Sequence, residues 1–146
     1  MKINNLTKKN MINIFTDGAT VGFNGRLGTV KEVGLGMYIP DIQFGDCKKT
    51  EGISNNEAEF KALIWAMETA IEKGIKEARF CMDSKIIYNR AIGKRPISKK
   101  FRNERMDAFQ DKVLELAKKF DYIIFRWIPR EENSIADFYS KEACKI

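Results

Sequence analysis

The stretch from Ser54 to Gly74, SNNEAEFKALIWAMETAIEKG, constrains this chain more than any other. It reads as one long helix. Ser54 is placed to cap the first free N–H groups, Glu57 reaches back three residues in a capping-box arrangement, and Gly74 after Lys73 supplies the stop. Advancing about 100° per residue puts Glu57 on a polar strip with Lys61, Glu68 and Glu72. Glu59 then falls near the middle of the opposite face, among Ala62, Leu63, Ala66 and Ala70. A carboxylate aimed at a core costs several kcal/mol unless a cation, a metal or a proton compensates it. The alanines around Glu59 imply close approach of a sheet or a metal site on that side.

The rest of the chain supplies what this helix packs against. Met11 to Thr16 reads as a strand running into Asp17-Gly18, and Ala19 to Glu32 reads as a long glycine-bearing turn. Val33–Ile39 and Ile42–Lys48 read as a hairpin across Pro40-Asp41. After the helix, Glu77–Met82 is apolar enough for an inner strand and ends on Asp83, so strand, helix and strand form a βαβ unit. Ser84 caps a short helix over Lys85–Ile92, with Ile86, Ile87 and Ala91 as its buried positions. In the following stretch GKRPISKKFRNER, six basic residues (Lys94, Arg95, Lys99, Lys100, Arg102 and Arg105) face one acid, Glu104. Met106, Phe109, Val113, Leu116 and Phe120 then recur at helical spacing over Arg105–Phe120. Tyr122–Trp127 is a last strand, and a final helix starts at a Ser134 cap with Ile135, Phe138 and Tyr139 inward. The expected class is α/β, in the sense of an α+β mixed sheet: a three-stranded meander followed by alternating helices and strands, with helices on the sheet faces.

Composition narrows the setting. The 146 residues suit one domain, which we place at 11–146 behind a flexible N-terminal arm, 1–10. Cys47, Cys81 and Cys144 are odd in number and lack metal-ligand spacing, which favours free thiols in a reducing compartment. No apolar run approaches the ~20 residues of a membrane span, and the start MKINNLTKKN lacks the apolar region of a secretory signal. A cytoplasmic protein, monomeric and independent of membranes, is expected. Lys plus Arg exceed Asp plus Glu by 26 to 20, a net charge of +6 that suits a polyanionic partner.

Four acids share one placement. Asp17 and Asp83 sit at strand ends, Glu59 lies on the inner face of the joining helix, and Asp137 stands in the first turn of the last helix. Sites in such sheets form beyond the carboxyl ends of strands. Four carboxylates there would repel one another by several kcal/mol unless divalent cations neutralise them. Hard oxygen donors with open coordination suit Mg²⁺ or Mn²⁺, and two such ions ~4 Å apart are a known device for in-line phosphodiester displacement. Each acid also has a structural role open to it: Asp17 as a turn residue, Asp83 as a cap, Asp137 as an acid favoured by the helix dipole.

IFTDGAT, SNNEAEF, CMDS and WIPREENSIADFYSKEA, in this order and at these spacings, resemble the type 1 ribonuclease H family from Met11 to Ala143. The resemblance implies a ribonuclease H-like fold: a five-stranded mixed sheet, its first three strands antiparallel, with helices on both faces. It implies an endoribonuclease that cuts the RNA strand of RNA–DNA hybrids, leaving 5′-phosphate and 3′-hydroxyl ends, with two Mg²⁺ ions for which Mn²⁺ can substitute. Asp17, Glu59, Asp83 and Asp137 become the catalytic, metal-holding carboxylates. Ser54, Asn55 and Asn56 become hybrid contacts, joined by Gly18, Asn24, Ser84 and Arg130 and by Lys99, Lys100 and Arg102 of the basic loop. The chain departs from the family in having no histidine, where many members carry one before the last helix; Arg130 or Glu131 stands there instead. The stretch GFNGRLGTVKEVG also replaces the usual Gly-Asn-Pro-Gly turn. The departures leave two alternatives: a non-catalytic hybrid- or partner-binding module, or another nuclease of the same fold.

Overall fold

The computed structural model describes residues 11–20, 31–96 and 103–145. The arm 1–10, Asn24, Lys99, Lys100 and Arg102 lie outside the described residues. The strands are β1 (Ile12–Thr20), β2 (Lys31–Ile39), β3 (Phe44–Gly52), β4 (Glu77–Met82) and β5 (Tyr122–Trp127). The helices are α1 (Asn55–Glu72), α2 (Lys85–Ala91), α3 (Glu104–Ala117) and α4 (Ser134–Ala143). The strands form one sheet in the order β3-β2-β1-β4-β5. Pairing is antiparallel from β1 to β3 and parallel among β1, β4 and β5. The mixed sheet expected from the sequence is the one found.

Strand β2 shows how the two faces differ. Val33, Leu35, Met37 and Ile39 alternate inward and are buried against α1 or the core beneath it, which includes Ile14, Phe60, Leu63, Met67 and Phe80. Gly34 and Gly36 point the other way, toward α4. A Cβ on Gly34 would lie 2.1 Å from the Ser140 carbonyl oxygen, and one on Gly36 would lie 2.4 Å from that of Ala136. Helix α4 therefore sits backbone-close on the sheet, and its inner positions are Ala136, Ser140 and Ala143. This corrects the expected inward set: Ile135 and Phe138 are 47% and 57% exposed, because only small side chains fit over the glycines. Ile86 of α2, also expected inside, is 53% exposed.

Three strands run further than their apolar residues suggested, and β2 starts two residues early, at Lys31. β1 continues to Thr20, because Asp17 through Thr20 pair with Gly36 through Val33 of β2. Asp17 is therefore within the strand and not at its end. β3 begins at Phe44, after a 3₁₀ turn over Pro40–Ile42 closed by Gln43 at φ 49°, and extends through the polar residues Asp46 to Glu51. It is an edge strand held by the β2 ladder, so it needs no apolar pattern to persist.

At the start of α1, Ser54 Oγ accepts the Glu57 N–H at 3.1 Å, as expected, while Glu57 reaches back to the Ile53 N–H at 3.2 Å. The expected polar orientation of Glu57 is overturned: it is 1% exposed and forms a two-pronged pair with Arg105, Nε to Oε2 at 2.5 Å and Nη2 to Oε1 at 2.9 Å. Burial raises a carboxyl's pKa, but here the Arg105 bonds and the Ile53 N–H outweigh it, and Glu57 stays below its ordinary value. Across the other end of the basic stretch, Arg90 and Asp107 form a buried pair at 2.5 Å, and Arg95 bonds Gln110 at 2.6 Å and Asp111 at 2.7 Å. Arg95 and Arg105 are committed to carboxylates on α1 and α3, which ties the loop's two ends to the helical layer.

Candidate active site

Strands β1 and β4 pair in parallel as far as Phe15 and Cys81. Asp17 and Asp83 stand in the same register two residues further on, just past the last pair, so the two carboxylates face one another where the strands part. Asp17 pairs with Gly36 on the α4 side of the sheet. Helix α1 lies on the opposite side, where a Cβ on Gly18 would stand 2.3 Å from the Ala58 carbonyl carbon and 2.5 Å from the Glu59 nitrogen. This contact brings the first turns of α1 directly onto β1 next to Asp17. The gap between the parting strands then admits the Glu59 side chain, and one carboxylate oxygen each from Asp17, Glu59 and Asp83 lies within 4.8 Å of the others. Asp17 is buried, while Glu59 and Asp83 are half-buried. Glu59 therefore faces this cluster and not the apolar core, where Glu57 is the more deeply buried of the two glutamates.

The electrostatics follow from that crowding. Burial first, then the hydrogen bond and charge of Glu59, and then Asp83 and Asp137 push the Asp17 carboxyl up to about 9. Burial also raises Glu59, to about 7, with Asp83 adding to the rise while the Asp17 hydrogen bond, Arg130 and the Ser84 hydroxyl oppose it. Without a cation the cluster therefore keeps a shared proton near neutral pH. Its donors are all hard carboxylate oxygens around one point, the set that suits a divalent cation of the Mg²⁺ or Mn²⁺ kind.

Asp137 lies in the first turn of α4, as expected, close enough to Asp17 to help raise its carboxyl. It does not belong to the three-carboxylate group, and its Oδ2 is 3.1 Å from Lys141 Nζ one turn along the helix. Ser84 caps α2 by accepting the Ile87 N–H at 3.3 Å. Asn55 is exposed, and its Oδ1 accepts the Thr20 hydroxyl at 2.7 Å, linking the first turn of α1 to the end of β1. Ser54 caps that first turn, Asn55 and Asn56 open it, and Gly18 underlies it. Arg130 is exposed on a 3₁₀ turn before α4, with its charge felt at Glu59.

The sequence places the cap of α4 at Ser134, whereas Asn133 holds the N-cap position and makes no side-chain cap bond. Its amide is turned backwards into the sheet, donating to the Thr16 carbonyl at 2.9 Å and to Asp83 Oδ2 at 2.8 Å. One buried side chain thus satisfies a carbonyl left open where β1 and β4 part and also orients a cluster carboxylate. Its Oδ1 is buried without a partner among the described residues. An Asn before a helical apolar pattern was the available signal, but only the fold shows which way the amide turns. Asn133→Ala is expected to cost about 1–3 kcal/mol, since it leaves the Thr16 carbonyl buried and unpaired; denaturant unfolding measures it.

Residues 41–143 match the family described as Reverse transcriptase-like. EbsB of Enterococcus faecalis is 31% identical over 137 residues, covering 91% of this chain and 93% of that protein. Among solved structures, ribonuclease H1 of Halobacterium salinarum superimposes with a TM-score of 0.75 at 24% identity, over 92% of this chain and 98% of that one, a likeness of fold. LC11 ribonuclease H1, isolated from compost and solved in complex with an RNA/DNA hybrid, gives 0.72 at 27% identity, over 92% and 96%. With the strand order, the strand directions and the match over most of its length, the chain belongs to the reverse transcriptase-like family, and its fold is that of the type 1 ribonucleases H.

Proposed function

We propose that this protein is a divalent-cation-dependent endoribonuclease that hydrolyses the RNA strand of RNA–DNA hybrids to 5′-phosphate and 3′-hydroxyl ends. The observation that carries this reading is the convergence of Asp17, Glu59 and Asp83 within 4.8 Å where β1 and β4 part. The hybrid seen with the LC11 enzyme supplies the substrate class.

Asp17, Glu59 and Asp83 would hold the cations, two in this reading, with Asp137 completing the set. When bound, divalent cations activate water and stabilise the leaving oxygen of a phosphodiester. The chain's own residues do the rest. Ser84 and Asn133 fix the Glu59 and Asp83 carboxylates, so little reorganisation is needed at the site. Arg130 places a positive charge beside Glu59, where the family's histidine is absent, and favours a phosphate there. Gly18 and the Ser54–Asn56 turn offer short polar groups and backbone for reading 2′-hydroxyls, which distinguish RNA from DNA.

The test is a labelled RNA strand, single, paired with RNA or paired with DNA, incubated with Mg²⁺, with Mn²⁺ or with chelator. Cleavage confined to the RNA–DNA hybrid and abolished by chelator is expected. Hybrid binding without cutting in either metal would point to a binding module instead, and cutting of duplex DNA would point to another nuclease of this fold.

A further inference from the structure

The turn that opens α1 carries Ser54, Asn55 and Asn56, and its shape is fixed from two sides. On the β1 side Thr20 bonds Asn55. On the α3 side stands Glu57, 1% exposed, with both carboxylate oxygens engaged: Oε1 accepts the Ile53 N–H and Arg105 Nη2, and Oε2 accepts Arg105 Nε. One buried carboxylate thus clasps the chain before the turn, at Ile53, and after it, at Glu57.

Arg105 is itself set in place. It is the second residue of α3, and Asn103 Oδ1 caps that helix by accepting the Arg105 and Met106 N–H groups at 3.0 and 3.2 Å. Its side chain is 54% exposed, against 2% for that of Glu57, so the guanidinium closes over the carboxylate from the solvent side. The residues just beyond have a separate anchor. Gly18 supports the Ala58–Glu59 backbone from beneath, and Asp17 and the Ser84 hydroxyl bond the Glu59 carboxylate. Losing Arg105 leaves Glu57 buried without its fork, so the carboxylate turns out to water and the Ile53 N–H loses its acceptor. The displacement then falls on Ile53–Asn56 more than on Glu59.

We infer that Arg105 is a positioning residue for the hybrid: through Glu57 it holds the Ser54–Asn56 turn in the shape that reads the substrate, and it does not itself grip a phosphate. This deepens the hybrid-cleavage reading and rests on it. A planar guanidinium suits the task because its two parallel bonds fix orientation as well as distance, which a lysine ammonium does not.

Hybrid cleavage is measured for Arg105→Ala, Glu57→Ala, the double variant and Arg105→Lys, each first checked for folding by circular dichroism. Each alanine substitution is expected to raise KM about tenfold and to leave kcat within about twofold, the pattern of lost substrate binding. The double variant should match the worse single variant instead of reaching about a hundredfold, because both substitutions remove one pair. Arg105→Lys keeps the charge without the fork, so it should fold readily and raise KM about threefold. Hybrid affinity across a salt series should keep the wild-type slope in every variant, since no phosphate contact is lost. A slope lowered by about one in Arg105→Ala but not in Glu57→Ala would put the arginine on a phosphate and overturn the positioning role. Effects that multiply in the double variant would overturn it as well. So would an unchanged KM in folded Arg105→Lys, the result expected of a purely structural pair and the deciding measurement if the alanine variants do not fold. If the wild type cuts hybrids and one of these results is found, only the role of Arg105 fails. If it neither cuts nor binds them, the cleavage reading fails first.

Discussion

Asp17→Asn is expected to lower hybrid cleavage by at least about a thousandfold, some 4 kcal/mol of transition-state stabilisation, while making the cation-free protein more stable. Asp17 is the buried member of the cluster and touches both Glu59 and Asp137, so every role assigned to the site passes through its carboxylate. The gain in stability follows from the sign of its shift. A carboxyl raised from 3.8 to about 9 binds its proton more tightly folded than unfolded. The resulting stabilisation is complete below the unfolded value and is lost as pH rises through the folded one. The cation-free wild type should therefore weaken steadily from about pH 4 to pH 9. The asparagine variant escapes that loss and should be about 1–2 kcal/mol more stable at neutral pH, or about 3–5 °C in melting temperature. Melting curves from pH 5 to 9 check this, and repeating them with millimolar Mg²⁺ should reverse the order, because only the wild type gains from cation binding. A variant that cut at the wild-type rate, or a wild type whose stability rose with pH over this range, would remove Asp17 from the centre of the site.

Gly18→Ala is expected to damage both the fold and the site although it adds one methyl group. That group would stand 2.3 Å from the Ala58 carbonyl carbon and 2.5 Å from both the Ala58 oxygen and the Glu59 nitrogen. All three are helix backbone atoms that cannot rotate aside, so α1 must lift from β1 over several residues. Overpacking of this kind costs about 1–3 kcal/mol, and a backbone collision belongs at the upper end. Because the displaced segment contains Glu59, cleavage should fall even under conditions where the protein stays folded. Chemical denaturation and the hybrid assay, run on the same preparation, separate the two effects. Normal activity with normal stability would mean that α1 does not rest on Gly18.

The element order and the three cluster acids could be read from local pattern, since each rests on spacing within a short window. Ser54 caps α1 and Ser84 caps α2 through bonds to the N–H three residues on, which local spacing is enough to specify. Strand β4 and strand β5 match their apolar runs residue for residue, both lying in or next to the core. Expectations failed where a distant element chose the face. Helical periodicity set Glu57 on a polar strip, but Arg105, 48 residues away, supplies a buried partner that no helical wheel contains. Large apolar residues were expected to turn α4 inward, but Gly34 and Gly36 leave room only for Ala136, Ser140 and Ala143.

Local sequence alone determined the order of helices and strands and the Ser54 and Ser84 caps, and it singled out the acids that the fold brings together, because periodicity, turn chemistry and side-chain charge are properties of neighbouring residues. The tertiary structure decided which side each acid serves. Glu59 meets Asp17 only because β1 and β4 part after Phe15 and Cys81 and because Gly18 lets α1 descend. Asn133 reaches Asp83 from 50 residues along the chain for the same reason. Distances of a few ångströms between such remote groups depend on the packing of layers, and packing is where one missing Cβ or one buried arginine overrides the local pattern.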